Sequence, residues 1–179
     1  MRSYKIIVNK GLNMLDLDTV FFKTKLIVSE VDGILTSGHI YVDELGNIPF
    51  KMFNTKDFEA INLLKKYFKI IFLSSDNKIN YNFFRRLNIP FFYNNKNKKS
   101  ELIQILNKYQ VTPEEIIYIG STYSDVLCMQ MIPLSFCPEM SVYEVMNLAS
   151  MVISICGGDG VFIEIYNLLK KEINKRISG

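Results

Sequence analysis

The run Leu26-Ile27-Val28-Ser29-Glu30-Val31-Asp32-Gly33-Ile34-Leu35-Thr36-Ser37-Gly38 decides the architecture of this chain. An apolar, β-branched segment breaks off at two carboxylates and a glycine, so a buried strand ends in a polar turn. Ligands of open α/β sheets bind beyond the carboxyl ends of the strands, which places Glu30 and Asp32 where chemistry would be done. Three further strand ends carry polar residues: Ser74-Ser75-Asp76-Asn77, Lys96-Asn97-Lys98, and Gly120-Ser121-Thr122-Tyr123-Ser124-Asp125.

Outward from that run, short β-rich segments alternate with helix-length amphipathic ones, the pattern of βα units feeding a parallel sheet. The predicted strands are residues 26–31, 70–73, 91–93, 116–119, 134–136 and 151–153. Predicted helices cover 80–87, 99–109, 124–131, 141–148 and about 160 to 177. Another starts after Thr55 as N-cap, with Phe58, Ile61 and Leu64 on one face. Residues 24–179 therefore read as one α/β domain, a Rossmann-like parallel sheet flanked by helices, and 1–23 as an N-terminal arm or extra strand. Residues 34–53 depart from the rhythm: 34–42 and 48–53 read as the strands of a β-hairpin insertion around Asp43-Glu44-Leu45-Gly46-Asn47. Ile40, Val42, Phe50 and Met52 are too apolar for a lone solvated hairpin, which is expected to pack on another subunit.

A chain of 179 residues, 49% apolar and 22% charged, suits one globular domain with a full core. The net charge of +3 is mild. Its basic runs, Lys96/Lys98/Lys99 and Lys170-Lys171 to Lys175-Arg176, lack the interleaved aromatics of a nucleic-acid platform and read as solvated surface. No apolar run reaches the ~18 residues that span a bilayer, so no membrane partner is expected. The first ten residues lack the apolar core of a secretory signal. Cys128, Cys137 and Cys156 have neither CxxC spacing nor an even count, which fits buried thiols in the reducing cytoplasm. His39, the only histidine, has no second ligand candidate nearby in sequence, so no metal role is assigned to it.

The four strand ends resemble, in order, the motifs of the haloacid dehalogenase superfamily. The match is to its 3-deoxy-manno-octulosonate 8-phosphate phosphatases, a group that includes the C-terminal domain of animal acylneuraminate cytidylyltransferases. The resemblance runs from about Thr24 to Leu169. It rests on Val31 through Gly38 with Ile40-Tyr41, on Phe53 with Asp57, on Gly120 with Asp125, and on Gly157-Gly158-Asp159-Gly160. It implies a nucleophile at position 30, Asp32 as general acid/base, and Ser74 and Lys98 (or Lys99) as phosphoryl ligands. It implies Mg2+ at the positions of Glu30, Asp32, Ser121 and Asp125, and tetramers in which each hairpin reaches a neighbour.

Against that pattern the chain substitutes Glu30 for the nucleophilic Asp, and Ser121 and Thr122 for paired acidic residues. Asp159 stands in place of an Arg, and Phe58 in place of a Gly. A nucleophile one methylene too long is misplaced by roughly 1 Å, an error that can cost about 10²-fold. Loss of a carboxylate from a site that needs one or two weakens Mg2+ binding or abolishes it. Asp159 is expected to repel a phosphate. Without the resemblance, Glu30 reads as a solvated strand-end carboxylate and Asp125 as a helix cap. The expectation is a catalytically impaired, oligomer-forming protein of sugar-acid metabolism, with a sugar-acid cytidylyltransferase as candidate partner. The alternatives are a working Mg2+-dependent sugar-acid phosphatase and a module that binds a phosphosugar or nucleotide-sugar.

Overall fold

The computed structural model describes residues 21–75, 78–93 and 97–178, with the side chains of Lys78 and Arg176 excepted. Six strands form one parallel sheet: β1 (Leu26–Ser29), β2 (Lys69–Ser74), β3 (Phe91–Tyr93), β4 (Ile116–Ile119), β5 (Leu134–Glu139) and β6 (Met151–Cys156). The order is β3-β2-β1-β4-β5-β6, so the chain runs outward from β1 in one direction and then crosses back to start β4 on its other side. That reversal between β1 and β4 is the topological switch point where open sheets leave a crevice. Leu26 pairs with Ile116 and Ser29 with Ile119, so both strands end level at the crevice.

Helices cover both faces, as a sheet with continuous apolar strands demands. One face packs Ile27, Phe72, Ile117, Ile119 and Phe136 against α1 (Thr55–Leu64) and α6 (Val161–Ser178), with Ile61, Leu64, Phe162 and Ile165 in the layer between. Phe84 of α2 (Lys78–Arg86) stacks on Phe72 at 4.4 Å in that core. The other face packs Val28, Ile71, Leu73 and Tyr118 against α3 (Lys98–Tyr109), α4 (Val126–Met131) and α5 (Tyr143–Leu148).

Several expectations need correction. Asn54, not Thr55, caps α1: its backbone is extended and its carboxamide oxygen accepts the Lys56 N–H at 3.1 Å. Residues 34–53 carry no paired strands. Ile34 and Leu35 instead turn back at once, their N–H groups bonded to Val31 O, and bury fully in the core. Beyond them an Asp43-centred turn forms, its carboxylate accepting the N–H groups of Leu45 and Asn47, with Tyr41 against Phe50 at 4.9 Å. The insertion is thus a loop with a tight tip, since a two-stranded ladder alone gains too little in water. The first twenty residues of the expected arm lie outside the described residues, while its end at 21–23 is helical and Phe21 packs on Phe136. Cys128 and Cys137 are buried, and burial pushes their thiols up to about 11 and about 12, but Cys156 is exposed at the end of β6.

Candidate functional site

Every strand-end cluster with described residues converges at the crevice between β1 and β4. Glu30 follows β1 directly and donates its N–H to Ile119 O of β4 at 2.9 Å. It is only 3% exposed, which overturns its expectation as a solvated carboxylate. Its Oε1 accepts the Val31 N–H at 2.8 Å, and its Oε2 pairs with the Lys98 ammonium.

Lys98 begins α3, capped by Asn97, whose side chain accepts the Ser100 N–H at 3.0 Å. The cap fixes the first turn, from which Lys98 turns into the crevice while its neighbour Lys99 stays exposed. Of the two candidate lysines, Lys98 alone reaches the crevice, and its side chain is 1% exposed. The ammonium lies 2.8 Å from Asp125 Oδ1, so one cation bridges two buried carboxylates.

Asp125 is fully buried. Its Oδ1 also accepts the Tyr118 hydroxyl at 2.8 Å, and its Oδ2 accepts the N–H groups of Ser121 and Thr122 at 3.0 Å and the Thr122 hydroxyl at 3.1 Å. Burial pushes this carboxyl up, but the Lys98 charge and these donors outweigh it and hold the group below the ordinary range. Burial, with Asp125 beside it, pushes the Tyr118 phenol well above its usual value, so it remains a donor. Asp125 therefore caps the Tyr123–Asp125 turn and also anchors the ion cluster, more than the helix cap read from its position alone.

Asp32 stands at the mouth, about a third exposed. Its Oδ1 accepts the Thr36 hydroxyl at 3.1 Å. Its Oδ2 accepts the Lys51 ammonium at 2.8 Å and the Asn80 amide at 3.0 Å. Its backbone carbonyl accepts the Ser121 hydroxyl at 3.1 Å. Ser74, at the end of β2, joins through Asn80, whose Nδ2 lies 3.3 Å from its Oγ. Lys51 and Asn80 escaped sequence reasoning. Lys51 sits among apolar residues of the insertion, and Asn80 looked like a helix-initiating polar residue. Burial of the Lys51 side chain, at 3% exposure, marks it as part of the site.

Beside Asp32 opens a cleft of about 470 Å3 lined by Ser37, His39, Ser121, Thr122, Glu139 and Asp159 among others. Among its described lining residues there are two carboxylates and no Lys or Arg. Its wall is the Gly157-Gly158 turn, where Gly158 has φ +83° and donates its N–H to Ile34 O at 2.9 Å. A Cβ at Gly157 would collide with the Gly33 carbonyl, so this close approach requires glycine. Phe58 plays no part here and packs on Phe53 and Phe83. Asp57, by contrast, is buried behind the wall and accepts the Phe162 N–H at the start of α6 at 2.8 Å.

The donor set does not fit a magnesium ion. Mg2+ needs near-octahedral oxygen ligands with one or two free carboxylates. The oxygens of Glu30 and Asp125 are engaged by chain donors, and the Ser121 hydroxyl donates to the Asp32 carbonyl. Among the described residues no group of three or more His, Cys, Asp or Glu side chains converges as a metal site.

The chain and its fold are similar to those of known proteins. A family model of the haloacid dehalogenase-like hydrolases matches residues 30–165. The chain is 28% identical over 148 residues to the 3-deoxy-D-manno-octulosonate 8-phosphate phosphatase KdsC of Haemophilus influenzae, covering 81% of this chain and 82% of that protein. It is 26% identical to N-acylneuraminate cytidylyltransferase A of Danio rerio, covering 86% of this chain but 37% of that larger protein. Among solved structures, the cobalt-bound phosphatase of Haemophilus influenzae superposes with a TM-score of 0.78 at 27% identity, over 84% of this chain and 90% of that one. A Moraxella catarrhalis phosphatase in complex with magnesium, phosphate and KDO shares the fold, with a TM-score of 0.81 at 19% identity over 93% and 98% of the two chains. The chain belongs to the haloacid dehalogenase-like hydrolases and is KdsC-like within them.

Proposed function

We propose that this protein is a catalytically impaired relative of the 3-deoxy-D-manno-octulosonate 8-phosphate phosphatases that acts as an assembling, structural or regulatory subunit in sugar-acid metabolism. The observation that carries this reading is the state of Glu30. The residue at the nucleophile position is longer than Asp by one methylene, is buried, and has one oxygen on Val31 N and the other on Lys98. A nucleophile must present a free oxygen in line with phosphorus, and an error of about 1 Å costs on the order of 10²-fold. Asp159 and Glu139 in the adjoining cleft add repulsion against a phosphorylated sugar acid.

The assembly half of the proposal rests on the insertion. Leu45 is 81% exposed and Met52 64%, beside exposed Ile40, Val42 and Phe50, an apolar surface that favours burial against a second copy. We assign it to a homo-oligomer, a tetramer by likeness to the phosphatases, with a sugar-acid cytidylyltransferase as candidate partner. The test is a Mg2+-supplemented assay on an eight-carbon sugar-acid phosphate, comparing wild type with the Glu30→Asp, Ser121→Asp double variant. Wild type should stay at background while the variant gains about 10²-fold or more. A wild type as fast as the variant overturns the impairment, and a monomer by light scattering at micromolar concentration overturns the assembly.

A further inference from the structure

We propose that this chain does not hold a divalent cation at its switch point: the Ser121 hydroxyl closes on the Asp32 carbonyl, chain donors occupy the Glu30 and Asp125 carboxylates, and the protein binds Mg2+ neither as cofactor nor as structural ion. The inference needs only the family membership and is independent of whether phosphatase activity is lost.

The count of lone pairs is the first ground. An ionised carboxylate offers about four acceptor sites. Asp125 receives five donors: Lys98, Tyr118, Ser121 N, Thr122 N and the Thr122 hydroxyl. Nothing is left on it for a metal. Glu30 receives two, Val31 N on one oxygen and Lys98 on the other. The Asp32 carboxylate is held by Thr36, Lys51 and Asn80.

Charge is the second. Sites of this class hold Mg2+ through one or two carboxylates, and the two buried here already share the Lys98 ammonium, which leaves the trio with a net charge of about −1. The lysine supplies the counter-charge that buried carboxylates cannot do without.

Space is the third. Ser121 Oγ donates to the Asp32 carbonyl at 3.1 Å and sits directly on Gly33, so that a Cβ at Gly33 would collide with it. The loops after β1 and β4 therefore close on each other through a hydroxyl–carbonyl bond where an ion would otherwise bridge them. A neutral serine can make this bond; an ionised carboxylate at position 121 would face the carbonyl acceptor to acceptor.

The test uses the full chain after chelator treatment, with Mn2+ followed by the loss of its free electron-spin-resonance signal and Mg2+ followed by thermal unfolding. Wild type should show no Mn2+ site tighter than about 1 mM. Its melting temperature should be the same in chelator and in about 10 mM Mg2+, a concentration that would stabilise any site of that affinity. Ser121→Asp should melt lower than wild type in chelator, recover when Mg2+ is added, and bind Mn2+ at least about tenfold tighter. One Mn2+ per wild-type chain with a dissociation constant below about 1 mM overturns the proposal, even if the variant fails to fold. The two claims part cleanly. Wild-type turnover with no metal bound would remove the impairment and leave this inference standing, while tight Mg2+ binding without turnover would do the reverse.

Discussion

Replacing Lys98 by methionine keeps most of the side-chain volume and removes one charge from between two buried carboxylates. In the wild type the ammonium contacts Glu30 and Asp125, which are 3% and 0% exposed. An exposed pair of this kind would be worth about 0–1 kcal/mol. Burial decides otherwise: deleting one partner leaves uncompensated charge in a dry site, with an expected cost of about 3–5 kcal/mol. The cost must also depend on pH. With Lys98 present the Asp125 carboxyl is held low, so its stabilisation is present above the unfolded value near ~3.9 and is lost as pH falls through the folded value. Without Lys98 the main opposing charge is gone, and burial, which raises Asp125, is countered only by the neutral donors of Tyr118, Ser121 and Thr122. The penalty of the variant should therefore be largest at neutral pH and shrink on acidification, as the stranded Asp125 carboxylate takes up a proton. Urea unfolding of wild type and Lys98→Met at pH 7 and pH 5 measures both effects. Adding Glu30→Gln should recover part of the loss at pH 7, because one stranded charge is gone. A penalty below about 1 kcal/mol at pH 7, or one that grows on acidification, would refute the reasoning.

Two further outcomes follow from the wall of the cleft. Burial pushes the Asp57 carboxyl up to about 6, against the backbone N–H groups of Phe162 and Ile163, and its Oδ2 has no partner among the described residues. A raised folded value means stability that is full below the unfolded value and is lost as pH rises through about 6, so wild type should gain up to about 3 kcal/mol between pH 7 and pH 4 from this group. Asp57→Asn should flatten that segment of the stability profile, and an unchanged slope in the variant would exclude Asp57 as its source. Asp159→Arg converts repulsion into attraction at the cleft, and should tighten binding of a phosphorylated sugar acid by about tenfold or more at low salt, measured by calorimetry. Equal affinity in variant and wild type would mean that Asp159 does not face the ligand.

Local pattern made the sheet legible. Each of the six strands was marked by its own apolar run, and four of them by a polar strand end, information that lies within a few neighbouring residues. The convergence of Glu30, Asp32, Ser121 and Asp125 followed from the family motif order, because strand ends in such a sheet share one crevice. The 34–53 insertion was misread for a related reason. Its apolar residues suggest strands locally, but Ile34 and Leu35 are drawn into the core below while Ile40 through Met52 find no third strand to pair with.

What the sequence by itself determined is the parallel α/β architecture and the set of polar residues at its switch point, because hydrophobic periodicity and turn chemistry act over short stretches of chain. The tertiary structure alone decided the electrostatic state of that set: that Glu30 is buried, that Lys98 and not Lys99 neutralises it, that Lys51 and Asn80 hold Asp32, and that the Ser121 hydroxyl bonds the Asp32 carbonyl. Burial and charge pairing depend on neighbours brought together through space, and no window along the chain contains Glu30, Lys98 and Asp125 at once.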